Sequence, residues 1–228
     1  MKIIVFGATG MIGQGVLREA LQADDVERVL VVVRAATGLS HPKLQELVHR
    51  DFTDFSAVRA ELGGFDACLY CLGVSAAGMS EADYRRVTYD FALAAAETLA
   101  DVNPAMTFIY VSGAGTDSTE KGGSMWARVK GETENALMRL PFRGAYMFRP
   151  AFIRPAHGER SKTASYRVIY AATGWLFPVL RRLAPRYVTS TDEVARAMLR
   201  VLREGAPQRV IENPEIVRLG TSATPAER

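Results

Sequence analysis

Three glycines near the start of the chain, Gly7, Gly10 and Gly13, recur every three residues and could form a phosphate-binding turn. The apolar run at residues 3–6 comes directly before them and predicts a strand that is buried on both faces. Apolar residues at helical spacing follow, so a helix is expected to begin at the turn. Its free N–H groups and the positive end of its dipole would face an anion. This context favours a pyrophosphate site over a glycine-rich turn that binds nothing.

Arg34 ends the predicted second strand, Val29–Val33. In NAD-preferring Rossmann proteins an acidic residue near this place bonds the ribose 2′-hydroxyl. A guanidinium suits a 2′-phosphate and gives a diol no comparable advantage. The sequence therefore favours NADP(H), with NAD less favoured; the alternative is an arginine that ends a strand in solvent.

Cys68 and Cys71 have the spacing of a redox pair. Both lie in a predicted central strand, where positions three apart face opposite sides of the sheet. We therefore expect two buried thiols, and no metal site, since no histidine is nearby in the sequence.

The rest of the chain alternates predicted strands and helices, with Gly, Pro and Asn marking the turns. A capping box, Ser190 to Glu193, begins a late helix that Gly205 ends. Residues 44–48 fit a short helix, or they lead into a short third strand that ends near residues 49–50. The remaining predicted strands are Asp66–Leu72, Met106–Val111, Arg143–Arg149 and Arg209–Glu212, and the remaining helices are Phe55–Leu62, Glu81–Leu99 and Ser124–Leu140.

This alternation predicts an α/β fold with a doubly wound, mainly parallel Rossmann sheet and helices on both faces. The length of 228 residues fits a single domain over 1–228, with a small C-terminal substrate part at 154–190. The apolar run 170–180 within that part predicts a helix packed on the core. A lid over an apolar substrate and a basic membrane contact are the alternatives.

The composition limits the partners. The net charge is only +3, which gives no electrostatic case for nucleic acid. No apolar run approaches the roughly 20 residues of a transmembrane helix. Met1 leads directly into a strand and leaves no room for a signal peptide, so a cytoplasmic location is expected.

The motif G-A-T-G-M-I-G resembles the G-x-x-G-x-x-G turn of the extended and atypical short-chain dehydrogenases/reductases, which include the NAD-dependent epimerase/dehydratases. The resemblance extends to about Gly205. It implies cofactor contacts along the turn, at the adenine, at the adenosine ribose and pyrophosphate, and beside the nicotinamide, where R-P-A-F-I resembles the group's R-P-x-x-[IV] segment. The implied residues are Gly7, Thr9, Gly10, Met11, Ile12 and Gly13 in the turn, Asp51 and Phe52 at the adenine, Cys71, Leu72 and Gly73 at the ribose and pyrophosphate, and Pro150, Phe152 and Ile153 at the nicotinamide.

Enzymes of this group use a serine after the fifth strand and a Y-x-x-x-K pair. Lys130 occupies the lysine place, and the resemblance implies that it bonds the nicotinamide ribose. Trp126 stands in the tyrosine place, and an indole N–H cannot act as an acid or base near neutral pH. Ser112 lies one or two residues before the usual serine, whose places hold Gly113 and Ala114. Ser112 is the catalytic candidate, and the alternative is a non-reactive neighbour near the cofactor. Six side chains could replace the tyrosine, and no spacing selects among them: Tyr84, Tyr89, Asp117, His157, Tyr166 and Tyr170.

Two functions follow from these observations. The first is an NADP(H)-dependent oxidoreductase or epimerase-like enzyme with an altered proton donor, acting on a small molecule, which would be apolar if residues 170–180 form a lid over it. The second is a non-catalytic protein that senses the dinucleotide and acts through a protein partner; Trp126 and the displaced serine favour it. The resemblance also implies a homodimer built on the helix from Glu81 and the next one.

Overall fold

The computed structural model of the protein describes residues 1–158 and 187–221. Strands and helices alternate through most of this length, as the sequence predicts. The strands are β1 (Lys2–Phe6), β2 (Arg28–Val33), β3 (Leu44–Val48), β4 (Ala67–Tyr70), β5 (Thr107–Val111), β6 (Gly144–Arg149), β7 (Phe152–Arg154), β8 (Val188–Ser190) and β9 (Val210–Glu212). The helices are α1 (Met11–Gln22), α2 (Glu81–Arg85), α3 (Phe91–Val102), α4 (Met125–Arg139), α5 (Thr191–Glu204) and α6 (Asn213–Thr221).

Seven strands form one parallel sheet in the order β3-β2-β1-β4-β5-β6-β9. The order reverses between β1 and β4, and in such sheets ligands bind at the carboxyl edge near this reversal. Both faces are covered, because successive residues of β1 enter different cores: Ile3 and Val5 pack with α1 and α5, whereas Ile4 and Phe6 pack with α3. The doubly wound Rossmann fold predicted from the sequence is confirmed.

Residues 44–48 form a strand, which settles the alternative that the sequence leaves open. The late helix begins at the predicted capping box, with the Ser190 hydroxyl accepting from the Glu193 N–H, and Gly205 follows its last residue. The predicted strand near residue 210 is β9, which extends the sheet beside β6.

The predicted helix Phe55–Leu62 is wrong. Its place is taken by a three-residue 3₁₀ turn, Ser56–Val58, and further turns closed by bonds from residue i to i−3. Phe55 and Leu62 are both buried in the core, and the turns bring both ends of the segment there. The Asp54 carboxylate caps this segment by accepting from the Ser56 N–H at 2.8 Å.

The predicted helix Glu81–Leu99 is interrupted. A π-helical turn, Arg86–Asp90, separates α2 from α3, and α3 continues to Val102. Such a turn inserts an extra residue and is frequent at functional sites. Thr88 lies within it, buried, and its hydroxyl has no hydrogen-bond partner among the described residues.

Strands β7 and β8 form a second, two-stranded parallel sheet that the sequence does not predict. It joins the segment after β6 to the beginning of α5. Most of the predicted substrate part, including the apolar run 170–180, lies outside the described residues. Among the described helices, none is both long and apolar enough to cross a membrane.

Candidate functional site

The glycine turn brings β1 and α1 into close contact. Gly7 has a positive φ of 76°, and its carbonyl accepts from the Gly10 N–H at 2.9 Å. A Cβ at Gly13 would lie 2.1 Å from the Gly7 oxygen, so no side chain fits there. The close approach that the sequence predicts for these glycines is therefore present.

The beginning of α1 suits an anion. Gly10 is the N-cap residue and the first turn carries no acidic residue, so the positive end of the helix dipole is left uncompensated by an adjacent carboxylate. Thr9 is exposed at the turn, and its carbonyl accepts from the Gln14 side chain at 3.1 Å. These features fit a phosphate held by backbone N–H groups.

A cavity of about 730 Å³ opens beside this turn at the carboxyl edge of the sheet. Chain segments following β1, β4, β5 and β6 line it, together with one face of α4. Ten residues predicted for the site lie in its wall: Gly10, Met11, Ile12, Cys71, Leu72, Gly73, Ser112, Lys130, Pro150 and Ile153. Four further residues also line it, although no sequence motif marks them: Val74, Ser75, Ala76 and Ala77.

Seven predicted site residues are absent from the cavity wall: Gly7, Thr9 and Gly13, which belong to the adjacent turn, and Arg34, Asp51, Phe52 and Phe152. Arg34 is exposed at the end of β2. The Asp51 carboxylate accepts from the Thr53 hydroxyl at 2.5 Å and the Thr53 N–H at 2.9 Å, and these bonds lower its pKa. Phe52 is buried against Phe6, with ring centroids 6.1 Å apart. Phe152 lies in β7 between two cavity-lining neighbours, as alternation along a strand requires.

Lys130 projects from α4 into the wall of the cavity. Its ammonium donates to the Ser112 carbonyl at 3.0 Å and lies 5.6 Å from the centre of the Tyr110 ring. Desolvation lowers the pKa of Lys130 from 10.5 to about 8, against the opposing attraction of Glu134. The lysine therefore changes charge close to physiological pH.

The Ser112 side chain is engaged within the protein. Its hydroxyl lies 2.5 Å from the Glu134 carboxylate and 3.1 Å from the Phe148 carbonyl, both acceptors. The single hydroxyl proton is thus held by the protein, and the catalytic role of Ser112 stays a prediction. The Ser112 carbonyl, in contrast, accepts from Lys130 and so positions the ammonium.

Glu134 is a residue of the site that the sequence analysis missed. Its carboxylate is fully buried and is held by Arg149, with Nε 3.0 Å from Oε1 and Nη2 2.5 Å from Oε2. Arg149 also donates to Glu212 at 3.1 Å and to the Ser118 hydroxyl at 2.5 Å. Its place in the sequence could have indicated it, because Glu134 lies one helical turn after Lys130, on a helix that packs against the sheet.

Trp126 also lines the cavity, so the residue in the tyrosine place does face the site. Among the described substitutes for a tyrosine, Tyr84 alone reaches the cavity wall. The others are engaged elsewhere or lie outside the described residues. Tyr89 stacks under the Arg85 guanidinium, His157 contacts Asp192, Asp117 accepts from its own loop, and Tyr166 and Tyr170 are not described.

The two cysteines are free thiols in and after β4. Burial raises the pKa of both, well above its usual range for Cys68 and to about 12 for Cys71. Such thiols are poor nucleophiles and metal ligands. In the described parts of the chain, no group of three or more His, Cys, Asp or Glu side chains is arranged to hold a metal ion.

The sequence model of the family described as "NAD(P)H-binding" matches residues 7–144, which is more than half of the chain. This protein belongs to the NAD(P)H-binding family. The matched region begins at the glycine turn and includes Lys130, and the cofactor of the family is a nicotinamide dinucleotide.

Several fungal proteins are similar to this NAD(P)H-binding protein along most of its length. "Protein fmp52-2, mitochondrial" of Aspergillus oryzae is 27% identical over 221 residues, covering 95% of both chains. "Protein FMP52, mitochondrial" of Saccharomyces cerevisiae is 28% identical over 166 residues, covering 72% of this chain and 69% of its own.

The names of these relatives contradict the cytoplasmic location expected from the sequence. The relatives are named mitochondrial, including one from Chaetomium globosum that is 28% identical over 231 residues. The expectation rested on the first residues, which here form strand β1 and carry no information about the compartment.

Solved structures share the fold of the NAD(P)H-binding protein at low sequence identity. The Bordetella bronchiseptica enzyme WbmF in complex with NAD⁺ has a TM-score of 0.67 at 13% identity, covering 95% of this chain and 76% of its own. An oxidoreductase of the short-chain dehydrogenase/reductase family from Burkholderia thailandensis has a TM-score of 0.66 at 16% identity, covering 94% of this chain and 92% of its own. These structures confirm the fold that the resemblance implies, and the family model confirms NAD(P)H binding as the property of the family.

We predict that Glu134→Ala lowers the free energy of unfolding by about 3–5 kcal/mol, because it leaves the Arg149 guanidinium without its buried partner. Urea unfolding followed by circular dichroism measures the change. Glu212→Ala is the matched control: it removes the other carboxylate of Arg149, which is half-exposed, and should cost less than about 1 kcal/mol. Equal losses in the two variants would contradict the importance of the buried pair.

Proposed function

We propose that this protein is an NADP(H)-dependent oxidoreductase of the short-chain dehydrogenase/reductase type that acts on a small apolar carbonyl compound or alcohol. The observation that carries the proposal is the cavity beside the glycine turn, with Lys130 in its wall. In this fold the carboxyl edge of the sheet is where dinucleotides bind. The rest of the cavity would hold the substrate.

The chain's residues fit the dinucleotide. The N–H groups at the beginning of α1 would hold the pyrophosphate, and Gly73, having no side chain, leaves room beside β4. The Lys130 ammonium, already directed by the Ser112 carbonyl, would bond the nicotinamide ribose. When bound, the nicotinamide supplies or accepts a hydride.

The proton must come from a group other than Trp126. Three lining side chains among the described residues carry an ionisable group: Lys130, Tyr84 and Cys71. The raised pKa of Cys71, about 12, argues against the thiol. Lys130 holds a proton on Nζ and, with a pKa of about 8, releases it near neutral pH, which supports a role in proton transfer.

The wall of the cavity supports an uncharged substrate. Val74, Ala76, Ala77, Trp126 and Ile153 contribute apolar surface. Among the described lining residues there is no Arg, Asp or Glu, so a charged group would meet only Lys130. An apolar carbonyl compound would bury its surface here without leaving a charge unpaired.

A second candidate function is the non-catalytic dinucleotide sensor. The hydrogen bond of Ser112 to Glu134 and the indole in the tyrosine place both favour it. The location of its partner surface and the implied homodimer remain predictions. Turnover decides between the two functions, because both require the same cofactor site.

Arg34→Ala should weaken NADPH binding by about tenfold or more and leave NADH binding nearly unchanged, because a guanidinium contributes only where a 2′-phosphate is present. Titration calorimetry with both dinucleotides measures this. Arg139→Ala is the control, since it removes an exposed arginine at the end of α4, on the opposite edge of the sheet. Equal losses for NADPH and NADH would contradict the assignment of Arg34.

Lys130 should make cofactor binding depend on pH. Its pKa is lowered to about 8, so the ammonium is lost as the pH rises through that value. The affinity for the anionic dinucleotide should therefore fall between about pH 7 and about pH 9. Nicotinamide fluorescence measures it: Lys130→Met should abolish the dependence, and Lys121→Met, at an exposed site, should keep it. A wild-type affinity that is flat over this range would contradict the role of Lys130.

The enzyme proposal is tested by turnover. Wild-type protein with NADPH and a panel of apolar aldehydes and ketones should consume the reduced nicotinamide, measured by its absorbance. Trp126→Tyr should raise the rate by about 10²-fold or more, since it supplies a phenol one helical turn before Lys130. Trp126→Phe, an aromatic without a hydroxyl, is the control. Tight NADPH binding without turnover in wild type and Trp126→Tyr would favour the sensor.

A further inference from the structure

A second arginine, Arg50, follows the strand that lies next to the one ending before Arg34. In the register of the two strands Val33 of β2 pairs with Val48 of β3, and the His49 N–H donates to the Val33 carbonyl at 2.8 Å. Arg34 follows the first of these strands and Arg50 the second. Because the strands are parallel, both arginines lie at the carboxyl edge, on the side of β1 that is occupied by β2 and β3.

The loop after Arg34 is held towards β3. The Glu46 side chain of β3 accepts from the Thr37 N–H at 3.1 Å and from the Thr37 hydroxyl. The chain therefore turns back over the strand that leads to Arg50. This contact keeps the two strand ends close together.

Neither guanidinium has a bonding partner in the part of the chain that the structure describes. Both arginines are exposed, and neither forms an ion pair or hydrogen bond with a described residue. The Asp51 carboxylate, next to Arg50 in sequence, is bonded to Thr53 instead. In contrast, eight arginines elsewhere in the described chain form ion pairs: Arg18, Arg59, Arg85, Arg128, Arg149, Arg200, Arg203 and Arg218.

We propose that Arg50 is a second guanidinium ligand, together with Arg34, for the phosphate on the 2′-position of the adenosine ribose. The inference rests on the proposed NADP(H) function and names a further residue of that same site. A phosphate monoester carries a charge of about −1.5 to −2 near neutral pH and has three acceptor oxygens. Two guanidinium groups from adjacent strand ends match that charge and can each bond the oxygens in a bidentate manner.

The competing explanation is general attraction of an exposed arginine for any anionic nucleotide. The two differ in what they recognise. A 2′-phosphate ligand affects only nucleotides that carry that group, whereas general attraction also acts on the 5′-phosphate and falls with salt.

The test compares adenosine 2′,5′-bisphosphate with adenosine 5′-monophosphate, which lacks the 2′-phosphate. Their binding to the full chain is measured by titration calorimetry at about 0.15 M salt, where long-range attraction between exposed charges is largely screened. The variants are Arg50→Ala, Arg50→Lys, Arg34→Ala and the Arg139→Ala control. The arginine at position 50 is exposed, so Arg50→Ala should fold, and its unchanged thermal unfolding confirms that.

We expect Arg50→Ala to weaken binding of the bisphosphate by about tenfold and binding of the monophosphate by less than about twofold. Arg50→Lys should retain part of the affinity, because it keeps the charge and loses the bidentate geometry. Arg139→Ala should match the wild type for both nucleotides.

Three results would overturn the proposal, and they are distinguishable. If Arg34→Ala weakens binding of the bisphosphate and Arg50→Ala does not, the role of Arg50 alone is overturned. If Arg50→Ala weakens both nucleotides equally, or Arg139→Ala acts like it, general attraction explains the effect. If the wild type binds the two nucleotides equally, the NADP(H) preference fails, and the inference about Arg50 fails with it.

Discussion

The buried ion pair between Glu134 and Arg149 joins the helix that carries Lys130 to the sheet that carries the rest of the site. Arg149 ends β6, and its guanidinium also contacts Glu212 at the end of β9. Ser112, after β5, donates to the same Glu134 carboxylate. The Glu134 carboxylate therefore joins two strand ends to one helix directly, and a third strand end, that of β9, through Arg149. A buried charge is tolerated here because both oxygens are hydrogen-bonded and the partner is the more weakly hydrated guanidinium.

The consequence of that arrangement is a site whose polar groups are mostly occupied before any ligand arrives. The Ser112 hydroxyl donates its hydrogen bond to Glu134, and Lys130 donates to the Ser112 carbonyl. Lys130 nevertheless keeps two further N–H donors, since an ammonium has three. The serine is thus part of the support for the lysine, and the lysine remains available to a ligand. This division of roles follows from geometry and not from residue type.

The sequence predicts the order of strands and helices well, because that information is local. The glycine spacing, the apolar run of β1 and the capping box at Ser190 each act within a few residues. Local spacing does not predict the structure where contacts between distant residues determine it. Residues 55–62 have helical periodicity, yet they form turns that bury Phe55 and Leu62 in the core. The π-helical turn after Arg85 has no local signal at all. Likewise, the bond between Ser112 and Glu134 joins residues 22 apart in the chain, so the motif could not reveal it.

The two sulfhydryl groups of the chain have a consequence for handling the protein. Cys68 is fully buried in the central strand β4, and Cys71 follows that strand, at the wall of the cavity beside the glycine turn. Burial keeps both in the thiol form, and the thiolate is the form that alkylating reagents attack. Both cysteines should therefore react slowly with such reagents in the folded protein. Modification of Cys68 then requires the sheet to open, so its labelling rate reports how often the centre of the fold unfolds. The natural sequence thus contains its own probe of opening, with no engineered cysteine required.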